Sequence, residues 1–235
     1  MISKEDLATL KSKNYQLIFN IGVPYSGKKT QCEKVSNKFK FSKIYMKKII
    51  EKEIESNSNL GQEAKKYIDN NEPIKTEVLV SILINKIIES HELSIMIEGF
   101  PNTLEEALYF EQNIIPITKI INNNSTEDEC FHCLEESKAS EKLSKEEFSK
   151  KYNDILKNVT EINNFYTHFS VIHNIDASKT IAKVNSELKR HLYPKIYSII
   201  GKRYSGKTEL SKELKNKIGM VTLLNFDDFL KETEI

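Results

Sequence analysis

The sequence predicts an α/β protein, with a parallel five-stranded sheet covered by helices on both faces. Three observations predict it. Short apolar, β-rich runs alternate with longer stretches of helical periodicity over residues 15–192, the order that builds strand-helix-strand units rather than hairpins. The first apolar run, Tyr15 to Ile21, passes directly into Gly22-Val-Pro-Tyr-Ser-Gly-Lys-Lys-Thr30, where a helix begins. The same pattern returns after a later apolar run, Ile196 to Ile200, as Gly201-Lys-Arg-Tyr-Ser-Gly-Lys-Thr208.

Taken in order, residues 1–13 read as a polar lead-in helix, Tyr15 to Ile21 as a buried first strand and Lys28 to Lys38 as a helix. Ile44, Ile49, Ile50 and Ile54 recur among charged residues, so Lys43 to Ser56 reads as an amphipathic helix entered from a short second strand. Leu60 to Asn70 is a short helix, broken by the turn Asn70-Asn-Glu-Pro73. Val78 to Ile88 is a long helix for which Thr76 is the expected N-cap. Leu93 to Ile97 is the third strand, stopped by Gly99 and Pro101. Thr103 and Glu106 make a capping pair for a helix reaching Asn113. Ile115 to Ile121 reads as the fourth strand and Ser125 to Ser137 as its helix. Ser144 and Glu147 cap a long helix to Phe169, Val171 to Ile175 is the fifth strand, and Ser178 to Leu192 the closing helix.

Net charge of +1, mean hydropathy of -0.48 and the lack of an apolar run near 18 residues argue against a membrane span and a strongly basic nucleic-acid binder. Three cysteines make no disulfide framework and indicate a reducing compartment. Cys130-Phe-His-Cys133 has the look of half a metal site, but without a second Cys/His pair nearby it reads as two semi-buried thiols. The five histidines have no recognisable partners. Arginine is the compositional oddity, since only Arg190 and Arg203 occur. Few planar forks are therefore available to grip a phosphate.

A glycine-rich loop between a strand and a helix is built to hold phosphate. Its backbone N–H groups curl around the anion, the helix N-terminus adds partial positive charge, and a lysine reaches the outer phosphates. Gly22 and Gly27 permit the tight backbone and Lys28 supplies the charge, with Tyr25, Ser26, Lys29 and Thr30 completing the loop. Gly201, Ser205, Gly206, Lys207 and Thr208 are the second set. Laying Gly22 on Gly201 without a gap aligns Tyr25 with Tyr204 and Lys28 with Lys207, an internal repeat. The expected organisation is a lead-in over 1–13, a first domain over 14–193 and the truncated start of a second over 194–235. Forty-odd residues bury little of a parallel sheet, so the natural chain continues or this stub packs on the first domain.

Residues 15–192 resemble adenylate kinase, a nucleoside monophosphate kinase. The loop Gly22 to Val35 is similar to that family's GxPGSGKGTQCEK(I/V), Ile95 to Pro101 resembles its L(I/L)DGFPR strand end, and Asn71 to Val78 its VPxExV turn. Phe148 to Tyr166 resembles the helix after the lid. The resemblance implies a phosphate-loop kinase fold with ATP and Mg²⁺ as ligands, Lys28 on the phosphates, and an AMP site on a small helical arm. It also marks departures. Tyr25 and Lys29 stand where two glycines belong, Met46 and Glu51 where a threonine and an arginine belong, Asn102 for the GFPR arginine, and Lys151 for another. Glu98 keeps the charge of the family's aspartate and would act through magnesium-bound water, as Asp227 or Asp228 would beside the second loop. Lys138 to Glu146 is too short for a lid domain.

Three functions follow from that balance. The first is a pseudokinase, with vestigial nucleotide binding, kept as a structural module among protein partners. Tandem domains of this kind resemble those of large axonemal proteins, which places the chain in the cytoplasm, at the cilium or flagellum. The second is an active nucleoside monophosphate kinase using lysines for arginines, and the third a nucleotide-dependent switch. Beside them stand blander readings: both loops as inherited geometry, Tyr25 and Tyr204 covering the loop or filling the phosphate pocket, Asp227-Asp228 as a helix N-terminus, and Lys47-Lys48 as a solvated face.

Overall fold

In the computed structural model, residues 3–39, 41–137, 143–192, 198–218 and 223 are described. They fall into two compact units, Met1–Leu192 and Tyr193–Ile235.

The first unit is organised by β1 (Gln16–Gly22), buried at every residue but its first, as a strand covered on both faces must be. It is the central strand of five. The order is β2-β3-β1-β4-β5, with β2 spanning Ser42–Tyr45, β3 Ser94–Glu98, β4 Ile120–Asn124 and β5 Ile172–Asp176, and every pairing is parallel. Because side chains alternate across a strand, Leu17, Phe19 and Ile21 enter one core and Ile18 the other.

The larger core lies under α1 (Lys4–Ser12), α5 (Thr76–Ile88), α6 (Leu104–Asn113) and α8 (Lys145–Thr167). Phe19, Phe100 and Phe110 meet there with ring centroids 5.4 to 6.2 Å apart. The opposite face is covered by α2 (Lys28–Phe39) and α9 (Ile181–Leu192), through Cys32, Val184, Leu188 and Leu192. A third cluster joins α7 (Glu127–Glu136) to the start of α8 and reaches Val23. The arm of α3 (Met46–Glu55) and α4 (Asn59–Asp69) leaves the sheet after β2 and packs on α5.

The connections out of β1 and β3 run in opposite directions, to β2 on one side and β4 on the other. This reversal creates the crevice at the strand C-termini where α/β sheets place ligands.

Several boundaries differ from the sequence expectation. The fourth strand is Ile120–Asn124, not Ile115 to Ile121. Pro116 has no ladder donor, and the asparagines that follow extend the strand because their amides find partners. Helix α5 starts at Thr76 itself, with Lys75 at the N-cap and no side-chain cap. β2 takes Ser42 to Tyr45, so the amphipathic helix begins at Met46. The lead-in helix contributes Leu10, 1% exposed, to the main core. Cys133 is exposed, whereas Cys130 is buried.

In the second unit, α10 (Lys207–Ile218) is the single helix among the described residues. Residues 198–200, expected to end a strand, are not in one. Lys138 to Lys142 of the lid region, Ile196-Tyr197 and Asp227-Asp228 lie outside the described residues. The join between α7 and α8 is only residues 137–144. No described helix is long and apolar enough to cross a membrane.

Candidate active site at the phosphate loop

The loop between β1 and α2 closes over the crevice. Gly22 has φ +140°, and a Cβ on it would lie 2.5 Å from the carbonyl oxygen of Asn123 on the neighbouring strand, so no other residue fits. Gly27, φ +77°, has open space around its Cβ position; there the backbone conformation alone favours glycine. Ser26 is buried, and its hydroxyl donates to the Val23 carbonyl at 2.9 Å. Below the loop, Asn123 donates to the Asn20 side chain at 2.6 Å and to the Ile21 carbonyl, while Asn20 donates to the Lys28 carbonyl at 3.2 Å. These two buried asparagines tie strand, loop and helix together. Sequence patterning does not single them out, because asparagine is unfavourable in strands; the only signal is the run Asn122-Asn-Asn124 after an apolar pair.

Tyr25 sits at φ 58°, a conformation costly for a side chain of its bulk. Its ring packs against Phe148 of α8, centroids 6.1 Å apart, in the α7–α8 cluster. It therefore covers the loop from outside and does not fill the phosphate cradle. Lys28 turns its ammonium back onto the loop, donating to the Gly22 carbonyl at 2.8 Å and to that of Val23. Burial lowers its pKa to about 8, opposed by the negative charge of Glu98. Glu98, the last residue of β3, pairs with Asn20 across the sheet. Burial raises its carboxyl above the usual range, while Lys28 and Lys29 pull the other way. Lys29 and Thr30 are exposed in the first turn of α2.

The second loop repeats the first in backbone conformation and in three of its hydrogen bonds. Tyr204 and Gly206 have φ 63° and 77°, matching 58° and 77° at Tyr25 and Gly27. Ser205 N–H donates to the Lys202 carbonyl as Ser26 does to Val23, Lys207 folds onto that same carbonyl, and Leu210 N–H reaches Gly206 as Gln31 reaches Gly27. The difference is exposure, since Gly201, Ser205 and Thr208 are exposed whereas Gly22 and Ser26 are buried.

Met46 is buried, and a Cβ on Gly99 would stand 3.3 Å from its own Cβ. The Asn102 amide donates to the Gly99 carbonyl, and its backbone N–H donates to the half-buried Glu106 carboxylate at 2.6 Å. Glu51 and Lys151 are exposed. Beyond the loop on the other side, a cavity of about 480 Å³ opens between the C-terminal ends of β4 and β5, with Asn124, Ser125, Glu129, Tyr152, Asp176 and Glu187 in its walls. These residues come from four separate segments, so no local motif announces them. Among the described residues no three His, Cys, Asp or Glu side chains converge as a metal cluster.

The model of the adenylate kinase family matches residues 20–185. The chain is 29% identical to adenylate kinase 1 of Schistosoma mansoni, covering 74% of this chain and 93% of that protein. It is 30% identical to a second Schistosoma mansoni adenylate kinase with the same coverage. It is 22% identical to adenylate kinase isoenzyme 1 of Gallus gallus, over 79% of this chain and 98% of the relative.

Proposed function

Because the chain belongs to the adenylate kinase family, we propose that its first unit binds a nucleoside triphosphate through Gly22 to Thr30 but is impaired in phosphoryl transfer, serving as a nucleotide-binding or structural module of a larger assembly. The carrying observation is where the arginines are. Phosphoryl transfer relies on positioning and on neutralising charge as it spreads over the transferring group. The first unit has one arginine, Arg190, exposed in the last turn of α9. That helix runs back from the C-terminal end of β5 towards its start, where His191 stacks on His173 at 4.3 Å. Arg190 therefore lies at the end of the sheet opposite the loop. Loss of a single transition-state arginine costs roughly 10³ to 10⁵ in rate.

The triphosphate retains partners. Loop N–H groups, the α2 N-terminus, Lys28 and Lys29 favour a polyanion, and Lys28 needs only to exchange its two loop carbonyls for phosphate oxygens. The adjoining cavity is where the nucleoside would lie. Mg²⁺ would be held beside the phosphates, with Glu98 at the end of β3 receiving its bound water and the Thr30 hydroxyl in the first turn of α2 as a further hard oxygen of the type magnesium takes. When bound it would neutralise phosphate charge. On the acceptor side Glu51 presents a carboxylate where an anionic monophosphate would need a cation, and Asn102 is engaged with its own loop.

The alternative, an active nucleoside monophosphate kinase, draws on Lys28 and Lys29 beside the loop and on relatives named as kinases. The repeated loop geometry favours a third reading, a switch with two nucleotide sites. A setting in the ciliary axoneme, with protein partners there, rests on the sequence resemblance. Titration of the purified chain with Mg-ATP, AMP and P1,P5-di(adenosine) pentaphosphate, alongside an assay of ADP formation, separates the readings. The expected result is Mg-ATP binding that Lys28→Ala removes, no tighter binding of the pentaphosphate, and background ADP formation. Pentaphosphate binding about a hundredfold tighter than ATP, with steady ADP formation, would establish the active kinase instead.

A further inference from the structure

The two lysines of the first loop are used differently. Lys28 closes on the Gly22 and Val23 carbonyls, whereas the ammonium of Lys29 makes no hydrogen bond or ion pair with any described residue. Lys29 is the second residue of α2 and is exposed. Side chains on a helix lean towards its N-terminus, and in the first turn no earlier turn lies beneath them, so Lys29 projects over the mouth of the loop. Round the helix it shares a flank with Cys32 and Glu33, three and four residues on, and Cys32 faces Tyr45 of β2. That flank looks towards β3, where Glu98 lies within electrostatic reach of Lys28, Lys29 and Glu33.

The second loop has Thr208 at the corresponding position. A hydroxyl directly after the loop lysine is what a phosphate loop offers to the magnesium ion that accompanies a triphosphate. In the first loop that position carries a cation, and the hydroxyl comes one residue later, at Thr30, about 100° further round the helix.

On the reading that the first loop binds a nucleoside triphosphate, we propose that Lys29 supplies the positive charge a magnesium ion otherwise brings to the outer phosphates, so that this loop takes the free triphosphate as well as its magnesium complex. The magnesium ion of a phosphate loop bridges β- and γ-phosphate oxygens and neutralises their charge. An ammonium on a flexible four-carbon stem brings a charge and three donors to the same oxygens. It also repels a divalent cation from the place it fills. Lys29 has no contact to give up on binding, whereas Lys28 must first release its two carbonyls.

The test is calorimetric titration of ATP into the wild type, Lys29→Thr and Lys29→Arg, once with EDTA and once with excess Mg²⁺ at matched ionic strength. Lys29→Thr gives the first loop the residue of the second, Lys29→Arg keeps the charge, and circular dichroism checks that each variant is folded. The wild type is expected to bind free ATP and Mg-ATP within about threefold of each other. Lys29→Thr is expected to lose about tenfold in affinity for free ATP, the effect of one charge-assisted contact, and so to prefer the magnesium complex by about tenfold or more. Lys29→Arg should keep the wild-type ratio. A wild type that prefers Mg-ATP by more than about threefold overturns the proposal and leaves the phosphate-loop reading standing. A ratio unchanged in Lys29→Thr overturns the assignment to this residue, and a ratio in Lys29→Arg like that of Lys29→Thr overturns the role of its charge. Failure of both forms of ATP to bind the wild type overturns the phosphate-loop reading itself, and the role of Lys29 with it.

Discussion

Raising the pH is the sharpest perturbation of the phosphate loop. Lys28 has its pKa lowered from 10.5 to about 8, chiefly by burial. A polyphosphate binds the ammonium and not the amine, and in the complex its negative charge keeps the proton on well above pH 8. Between pH 7.5 and 9.5 the charged fraction of the free loop falls from about three quarters to about one thirtieth, which lowers affinity by about 25-fold, about 2 kcal/mol. The nucleotide's own phosphates hold constant charge over that range. Stability of the ligand-free protein moves the other way. Between about pH 8 and 10.5 the unfolded chain binds more protons at this lysine than the folded one, so this group's contribution makes stability rise with pH across that window. Calorimetric titration of Mg-ATP at intervals over the range, with urea unfolding of the free protein in the same buffers, reads both trends. Lys28→Arg, which stays charged throughout, is expected to flatten the affinity profile. Affinity independent of pH in the wild type, or an equal fall in Lys28→Arg, would refute the reasoning.

Two further substitutions test the loop's geometry. Gly22→Ala places a methyl group 2.5 Å from the Asn123 carbonyl oxygen and should destabilise the first unit by about 3 kcal/mol or more in urea unfolding; a loss below about 1 kcal/mol would show that β1 and β4 can separate there. Tyr25→Gly relieves the left-handed backbone while losing the contact with Phe148, whereas Tyr25→Ala loses the contact and keeps the backbone cost. The glycine variant should therefore be the more stable of the two by about 1 kcal/mol, and an alanine variant as stable as glycine would rule out backbone strain at this position.

The parts of the fold written in local patterns were legible in the sequence. Strand, loop and helix from Tyr15 to Lys38 follow from one apolar run, two glycines and the helical periodicity beyond them, and the capping pairs at Thr103 and Ser144 fall where expected. What was not legible depends on partners distant in the chain. Asn122 to Asn124 form a strand where Asn174 and Asn20 lie across from them and accept from the Asn122 and Asn123 amide N–H groups, a tertiary effect that overrides propensity. Leu10 reads as part of a polar helix and becomes core because α1 lands on α5. The chemistry of the crevice divides the same way. Lys28 and Glu98 announce themselves by motif, whereas Glu129, Asp176 and Glu187 converge only after α7, β5 and α9 are in place.

The second loop bends as the first does although residues 198–200 form no strand. Its shape is thus carried within its own eight residues, by two left-handed positions and a lysine that closes on the Lys202 carbonyl. Such a peptide keeps its form whether or not anything binds. Selection on ligand affinity and selection on loop shape then act on separable traits, and a lineage can lose the first while every descendant still carries the second intact.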